Sequence, residues 1–208
     1  VKIEKESVCG RLGVTSFDET TLAKVLRRLP GVEVGGPWLA GGAVRRTLGG
    51  EKLDSDFDFF FASKEQAEAF AEAIMSAGGI RTAQREKAST FIVPAESPEE
   101  DVFLPEITVQ AITFAYFTDP EAVIDSFDFT LSQFAFDGES LYVGPFSLWD
   151  VARRRIVVNK VTYGVSTVRR LLKYTKQGYT VCSGALATIL TEVVEHPEVI
   201  HAETHYID

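Results

Sequence analysis

The chain has 208 residues, 45% of them apolar and 15 of them phenylalanine, so it is long enough to bury a core and has the side chains to fill one. A formal net charge of -9 and a sequence pI of about 4.9 exclude a surface that attracts polyanions as a whole, so contact with nucleic acid needs a local basic patch. No apolar run reaches the ~20 residues of a membrane span, VKIEKESVCG lacks a signal peptide's apolar stretch, and Cys9 and Cys182 have no close partner; the expectation is a cytoplasmic protein away from membranes, with two buried thiols.

In chain order, the apolar spacing of Phe17, Leu22, Val25, Leu26 and Leu29 predicts a helix over Thr15 to Pro30. GVEVGGPW is turn-rich. Ala43 to Leu48 reads as a short helix between two glycine pairs, and Asp56 to Ala62 as a strand. Ser63 and Gln66 form a capping box for a helix reaching about Ala77. Ile80 to Thr82 and Thr90 to Val93 look like strands. AESPEEDVFL is an acidic, solvated loop, and EITVQAITFAY, Glu106 to Tyr116, is an alternating strand. A short helix begins at Pro120. Ser126 to Phe136 reads as one strand, turning at Asp137-Gly138 into a hairpin partner at Leu141 to Val143. Helices follow over Ser147 to Arg154, from a Ser166 cap through TVRRLLKYTKQGY, and from Ser183 to Val194. The expected class is mixed α/β (α+β): a mixed sheet flanked by helices over residues 1–150, then a small, mostly helical extension over 151–208, where the composition turns basic.

Chemistry concentrates in WLAGGAVRRTLGGEKLDSDFDFFF, Trp38 to Phe61. Residues i and i+2 of a strand face the same way, so Asp56 and Asp58 stand on one face with Cβ atoms ~6–7 Å apart. Two carboxylates this close repel unless a cation joins them, and Mg²⁺ suits one or two carboxylates plus substrate phosphates. Upstream, Gly41-Gly42 lets a phosphate approach the backbone at a helix start, and Arg45 and Arg46 add charge-assisted bonds. Asp54 either shares the acidic face or is a loop acid. A bare DxD or a lone GG is weak; their conjunction at this spacing is more specific.

That conjunction resembles the polymerase-β-like nucleotidyltransferase superfamily, above all the head domain of tRNA nucleotidyltransferases and poly(A) polymerases, over about 25 residues (LAGGAVRRTLGG and SDFDFFF). The resemblance implies that Gly41 and Gly42 hold the triphosphate, that Arg45 is the family's arginine, and that Asp56 and Asp58 ligate Mg²⁺ or Mn²⁺. LLKYTKQGYTV is similar to the neck helix that follows the head, and the VQ-I strand, SFDF segment and basic helix resemble small phage-encoded members. Two departures stand out. The family's Arg-Asp is here Arg45-Arg46. The family's third carboxylate, on a later strand, has three candidates: Gln110, a neutral amide unable to take a proton; Asp128, an acid between phenylalanines; and Glu106, ~13 Å from Gln110 along the same strand face.

Arg169, Arg170, Lys173 and Lys176 concentrate positive charge in an acidic chain. They read as a solvated face or as a contact for the triphosphate or an RNA end. Tyr174 and Tyr179 pack or stack on a base. Arg153 to Arg155 mark a helix end, and His196, His201 and His205 lack the company of a metal site. The expected function is Mg²⁺-dependent transfer of a nucleotidyl group from a nucleoside triphosphate to tRNA, another RNA end or a small molecule. The alternative is an inactive nucleotide-binding or protein-interaction module on the same fold.

Overall fold

A computed structural model describes residues 1–99 and 102–201. The chain divides into two compact units: Val1–Ile124 with Phe134–Val143, and Asp125–Gln133 with the chain from Gly144 onward.

The first unit is built on one sheet. In chain order its elements are β1 (Lys2–Glu4), α1 (Cys9–Leu12), α2 (Thr21–Leu26), β2 (Trp38–Ala40), α3 (Gly42–Gly49), β3 (Phe57–Phe60), α4 (Lys64–Ser76), β4 (Ile80–Gln84), β5 (Ala88–Val93), β6 (Glu96–Glu99), β7 (Val102–Leu104), β8 (Ile107–Ile112), α5 (Pro120–Asp125), β9 (Phe134–Phe136) and β10 (Ser140–Val143). The strand order is β1-β10-β9-β2-β3-β8-β5-β4, with β3 and β8 parallel and the other pairs antiparallel. This is the expected mixed sheet flanked by helices. Strand alternation sends Phe57, Phe59, Val109, Ala111 and Phe91 to a buried face. On α4, Phe70 meets Phe59 and Phe61 at ring distances of 4.6 and 5.3 Å. The capping box sets where α4 begins: Ser63 Oγ accepts from the Gln66 N–H at 3.2 Å, and Gln66 Oε1 accepts from the Ala62 N–H at 2.8 Å.

Three local expectations change in this unit. The single helix over Thr15 to Pro30 is a 3₁₀ turn at Phe17–Glu19 followed by α2, because Ser16 and Thr20 each cap a separate start. The acidic segment forms a hairpin of β6 and β7, not a bare loop. Arg28, its side chain 5% exposed, holds the hairpin's base through Glu96, the Pro94 carbonyl and the Pro105 carbonyl at 2.5, 2.5 and 2.7 Å. Glu100 and Asp101 of that segment lie outside the described residues. The expected strand Ser126 to Phe136 survives only as β9, because Asp125–Gln133 leaves the sheet for the second unit, with a 3₁₀ turn at Thr130–Ser132.

The second unit adds α6 (Ser147–Ala152), β11 (Arg155–Ile156), α7 (Gly164–Lys176), β12 (Thr180–Val181), α8 (Ser183–Glu195) and α9 (Glu198–His201). Phe129, Leu131, Ile156, Val161, Leu171, Tyr179, Ile189 and Val199 form its core. The basic helix starts at Gly164, so Ser166 lies within it, buried, and is not its cap. Leu171 faces the core, but Leu172, one helical step round, is 53% exposed. Cys9 is buried, whereas Cys182 is exposed, against the expectation of two buried thiols. Among the described residues no helix is long and apolar enough to cross a membrane.

Candidate nucleotide site

The site begins where β2 ends. Gly41 has φ 78° and ψ -130°, a conformation that residues with a Cβ rarely adopt, and its N–H donates to the Phe134 carbonyl at 2.7 Å. That turn releases the chain into α3, whose first intrahelical bond runs from the Arg45 N–H to the Gly41 carbonyl at 3.1 Å. Gly42 to Val44 therefore carry the N–H groups that a helix start leaves without intrahelical acceptors. A Cβ on Gly42 would lie 3.3 Å from Ser55 Oγ, so the helix start and the segment entering β3 touch. Ser55 Oγ is itself buried and has no hydrogen-bond partner among the described residues.

Sheet register brings the acids to this turn. Ala40, the residue before Gly41, lies directly across from Asp58. On Asp58's other side stands Gln110 of β8, and beyond it Thr90 of β5. Asp56 immediately precedes β3, and its Oδ2 accepts a hydrogen bond from Gln110 Nε2 at 2.8 Å. Asp56, Asp58 and Gln110 thus share one face of three adjoining positions, all half-buried. Thr90 Oγ1, next in the row, is buried without a partner among the described residues. The two carboxylates are hard oxygen donors, the chemistry that suits Mg²⁺ or Mn²⁺, and the Gln110 amide stands beside them. Among the described residues no group of three or more His, Cys, Asp or Glu side chains forms a metal cluster.

Arg45 is buried in the first turn of α3, 5% exposed. Arg46 pairs with Asp54 at 2.8 Å and Glu51 at 3.9 Å and donates to the Lys52 carbonyl at 3.1 Å, so it braces the loop after α3 and makes Asp54 a loop acid. Glu106 is exposed and precedes β8. In the second unit, Asp128 accepts from Thr167 Oγ1 at 2.9 Å and Arg170 Nε at 2.7 Å; Arg169, Lys173 and Lys176 of the same helix are exposed. Tyr174 bonds Ser132 at 2.8 Å and packs edge-on against Phe129 and Tyr179, a packing role. Arg153 lies over the Trp149 ring at 4.1 Å, at the end of α6. His196 pairs with Glu198, and His205 lies outside the described residues. Sequence reasoning missed Ser55 and Thr90: Ser55 reads as an ordinary polar residue before a strand and Thr90 as the first residue of one, and only register places Thr90 beside Gln110.

The fold is that of nucleotidyltransferase heads. The CCA-adding enzyme of Thermotoga maritima, complexed with tRNA, is similar to 94% of this chain and 46% of its own at a TM-score of 0.62 and 16% identity. A CCA-adding enzyme in complex with ATP matches 95% of this chain and 48% of its own, with a TM-score of 0.61 and 15% identity. In sequence, Gabija anti-defense 2 of Bacillus phage SPbetaL7 is 27% identical over 146 residues, which are 69% of this chain and 34% of that protein. The chain thus spans about a third of the length of that curated relative. The model of the Gabija anti-defense 2 family (Gad2) matches residues 15–154, from before α2 to the end of α6, with Gly41, Gly42, Asp56, Asp58 and Gln110 inside the match, so the chain belongs to that family.

Proposed function

We propose that this chain binds a nucleoside triphosphate with a divalent cation and transfers its nucleotidyl group to an acceptor hydroxyl. One observation carries the reading: Ala40 pairs with Asp58, so the glycine turn at the start of α3 adjoins the two carboxylates. A triphosphate fits the turn, where Gly41 and Gly42 leave the backbone open and the first N–H groups of α3 suit anionic oxygens. Arg45, in the same turn of helix, adds fixed positive charge. Asp56 and Asp58, with Gln110 beside them, would hold Mg²⁺ or Mn²⁺; the cation, when bound, offsets phosphate charge as it develops. The acceptor oxygen bonds to the α-phosphorus while the bond to the α–β bridging oxygen breaks. Pyrophosphate leaves, and the acceptor's proton passes to solvent. The protein contributes position and charge neutralisation.

The exposed Arg169, Lys173 and Lys176 suit an anionic acceptor, such as the end of tRNA or another RNA, better than a neutral small molecule. On this reading the family's name gives the setting, a phage protein acting against the Gabija defence. A second reading, nucleotide binding without transfer, is favoured by Gln110, which cannot take a proton.

Calorimetric titration of the four nucleoside triphosphates tests the first reading. Binding is expected only with Mg²⁺ present, and is expected to be lost in Asp56→Asn and Asp58→Asn while the far-ultraviolet circular dichroism stays unchanged. Binding that ignores both acids would sink the site. Metal-dependent binding with no labelled product on any RNA or small-molecule acceptor would select the second reading. In cells carrying Gabija, a chain with Asp56→Asn and Asp58→Asn together is expected to lose the protection that the wild-type chain gives a phage.

A further inference from the structure

Gln110 occupies a position that the row Ala40, Asp58, Gln110, Thr90 makes central to the carboxylate face. Its amide has two ends with opposite roles. Nε2 donates to Asp56 Oδ2 at 2.8 Å, which fixes the amide's orientation: the nitrogen is spent on the carboxylate and Oε1 is the end left to accept. A carboxylate at this position would repel Asp56; an amide attracts it. From this bond, and resting on the nucleotide-site reading above, we infer that Gln110 is a positioning residue that holds Asp56 and limits the site to one divalent cation per chain.

Charge and donor count carry the inference. Asp56 and Asp58 supply two negative charges, enough to balance one divalent ion. Clamping two cations ~3.5–4 Å apart needs bridging carboxylates with oxygens to spare. Here Asp56 Oδ2 spends one of its two acceptor positions on Gln110, and Gln110 brings no charge. Among the described residues no third His, Cys, Asp or Glu joins these two acids in a metal-binding group. The one cation would then enter with the nucleotide, whose phosphates complete its coordination.

Mn²⁺ reports the count directly. Electron paramagnetic resonance of the full chain with a non-hydrolysable triphosphate analogue, corrected for Mn²⁺ held by free analogue, is expected to give one bound ion per chain. Gln110→Glu is expected to raise the count to two. Gln110→Ala is expected to keep the count at one with roughly 10-fold weaker Mn²⁺ affinity, the usual loss when an orienting partner is removed. Two ions per wild-type chain would overturn the inference and leave the nucleotide site standing. So would wild-type affinity in Gln110→Ala. No bound Mn²⁺, or binding indifferent to Asp58→Asn, would instead overturn the nucleotide-site reading on which the inference rests.

Discussion

The same tripeptide occurs twice, as Phe57-Asp58-Phe59 and Phe127-Asp128-Phe129, and the two aspartates meet different partners. Asp58 lies beside a glycine turn and an amide. Asp128, its side chain 5% exposed, is held by Thr167 and the Arg170 guanidinium, and its backbone carbonyl accepts from the Asn159 N–H at 2.6 Å. Asp128→Asn removes the charge that Arg170 faces and is expected to cost about 3 kcal/mol in urea denaturation, as breaking buried pairs does, with metal-dependent nucleotide binding intact. Unchanged stability with lost binding would instead make Asp128 a site acid. Locally the residue two before separates the motifs, Asp56 ahead of Asp58 and Ser126 ahead of Asp128. The partners of Asp128 lie 39 and 42 residues further along the chain, beyond any window of periodicity. The pair Asp56 and Asp58 was legible because strand alternation alone puts both on one face. Gln110 was legible as a candidate, but its bond to Asp56 needed the parallel pairing of β3 with β8.

At the scale of elements, the starts of α4 and α5 were easier to read than interruptions. The box at Ser63 placed α4, and Asp119 does the same work for α5. Its carboxylate accepts from the Ala122 N–H and the Thr118 hydroxyl, both at 2.8 Å, with Pro120 in the first helical position. The Ala122 N–H, then the Thr118 hydroxyl, hold the Asp119 carboxyl below its ordinary value of 3.8. A depressed folded value means stabilisation present above 3.8 and lost as pH falls through the folded value. Asp119→Ala is therefore expected to cost about 1 kcal/mol near neutrality, and the gap between the two denaturation curves should close on acidification below 3.8. A gap that persists there would assign the cost to something other than the carboxylate. The strand expected over Ser126 to Phe136 failed for a tertiary reason. Its alternation is real, but Thr130 donates to Asp150 Oδ2 at 2.7 Å and Phe129 and Leu131 belong to the second unit's core, so only Phe134–Phe136 stays in the sheet. The hairpin of β6 and β7 was hidden for the opposite reason: its acidic composition argues for solvent, and the charge that anchors it, Arg28, sits 68 residues earlier.

For the whole molecule, a net charge of -9 predicts weak, salt-sensitive contact with RNA through a small patch only. If an RNA end is the acceptor, replacing Arg169, Lys173 and Lys176 together by alanine should flatten the slope of log affinity against log salt by about 2, the share of three single-strand phosphate contacts. An unchanged slope would take the basic helix out of RNA binding. The division into units has a consequence for heredity. The chain passes between them after Ile124, after Gln133 and again after Val143. Phe129 and Leu131, two large residues of the second core, are therefore encoded inside the stretch that also encodes the first unit's sheet. A single crossover in the gene cannot deliver either unit whole. An exchange near the codon for Asp150 would move α7 and α8 without Phe129 and Leu131, and leave behind a sheet trailing two orphaned side chains, so evolution is expected to have shuffled these two units as one cassette.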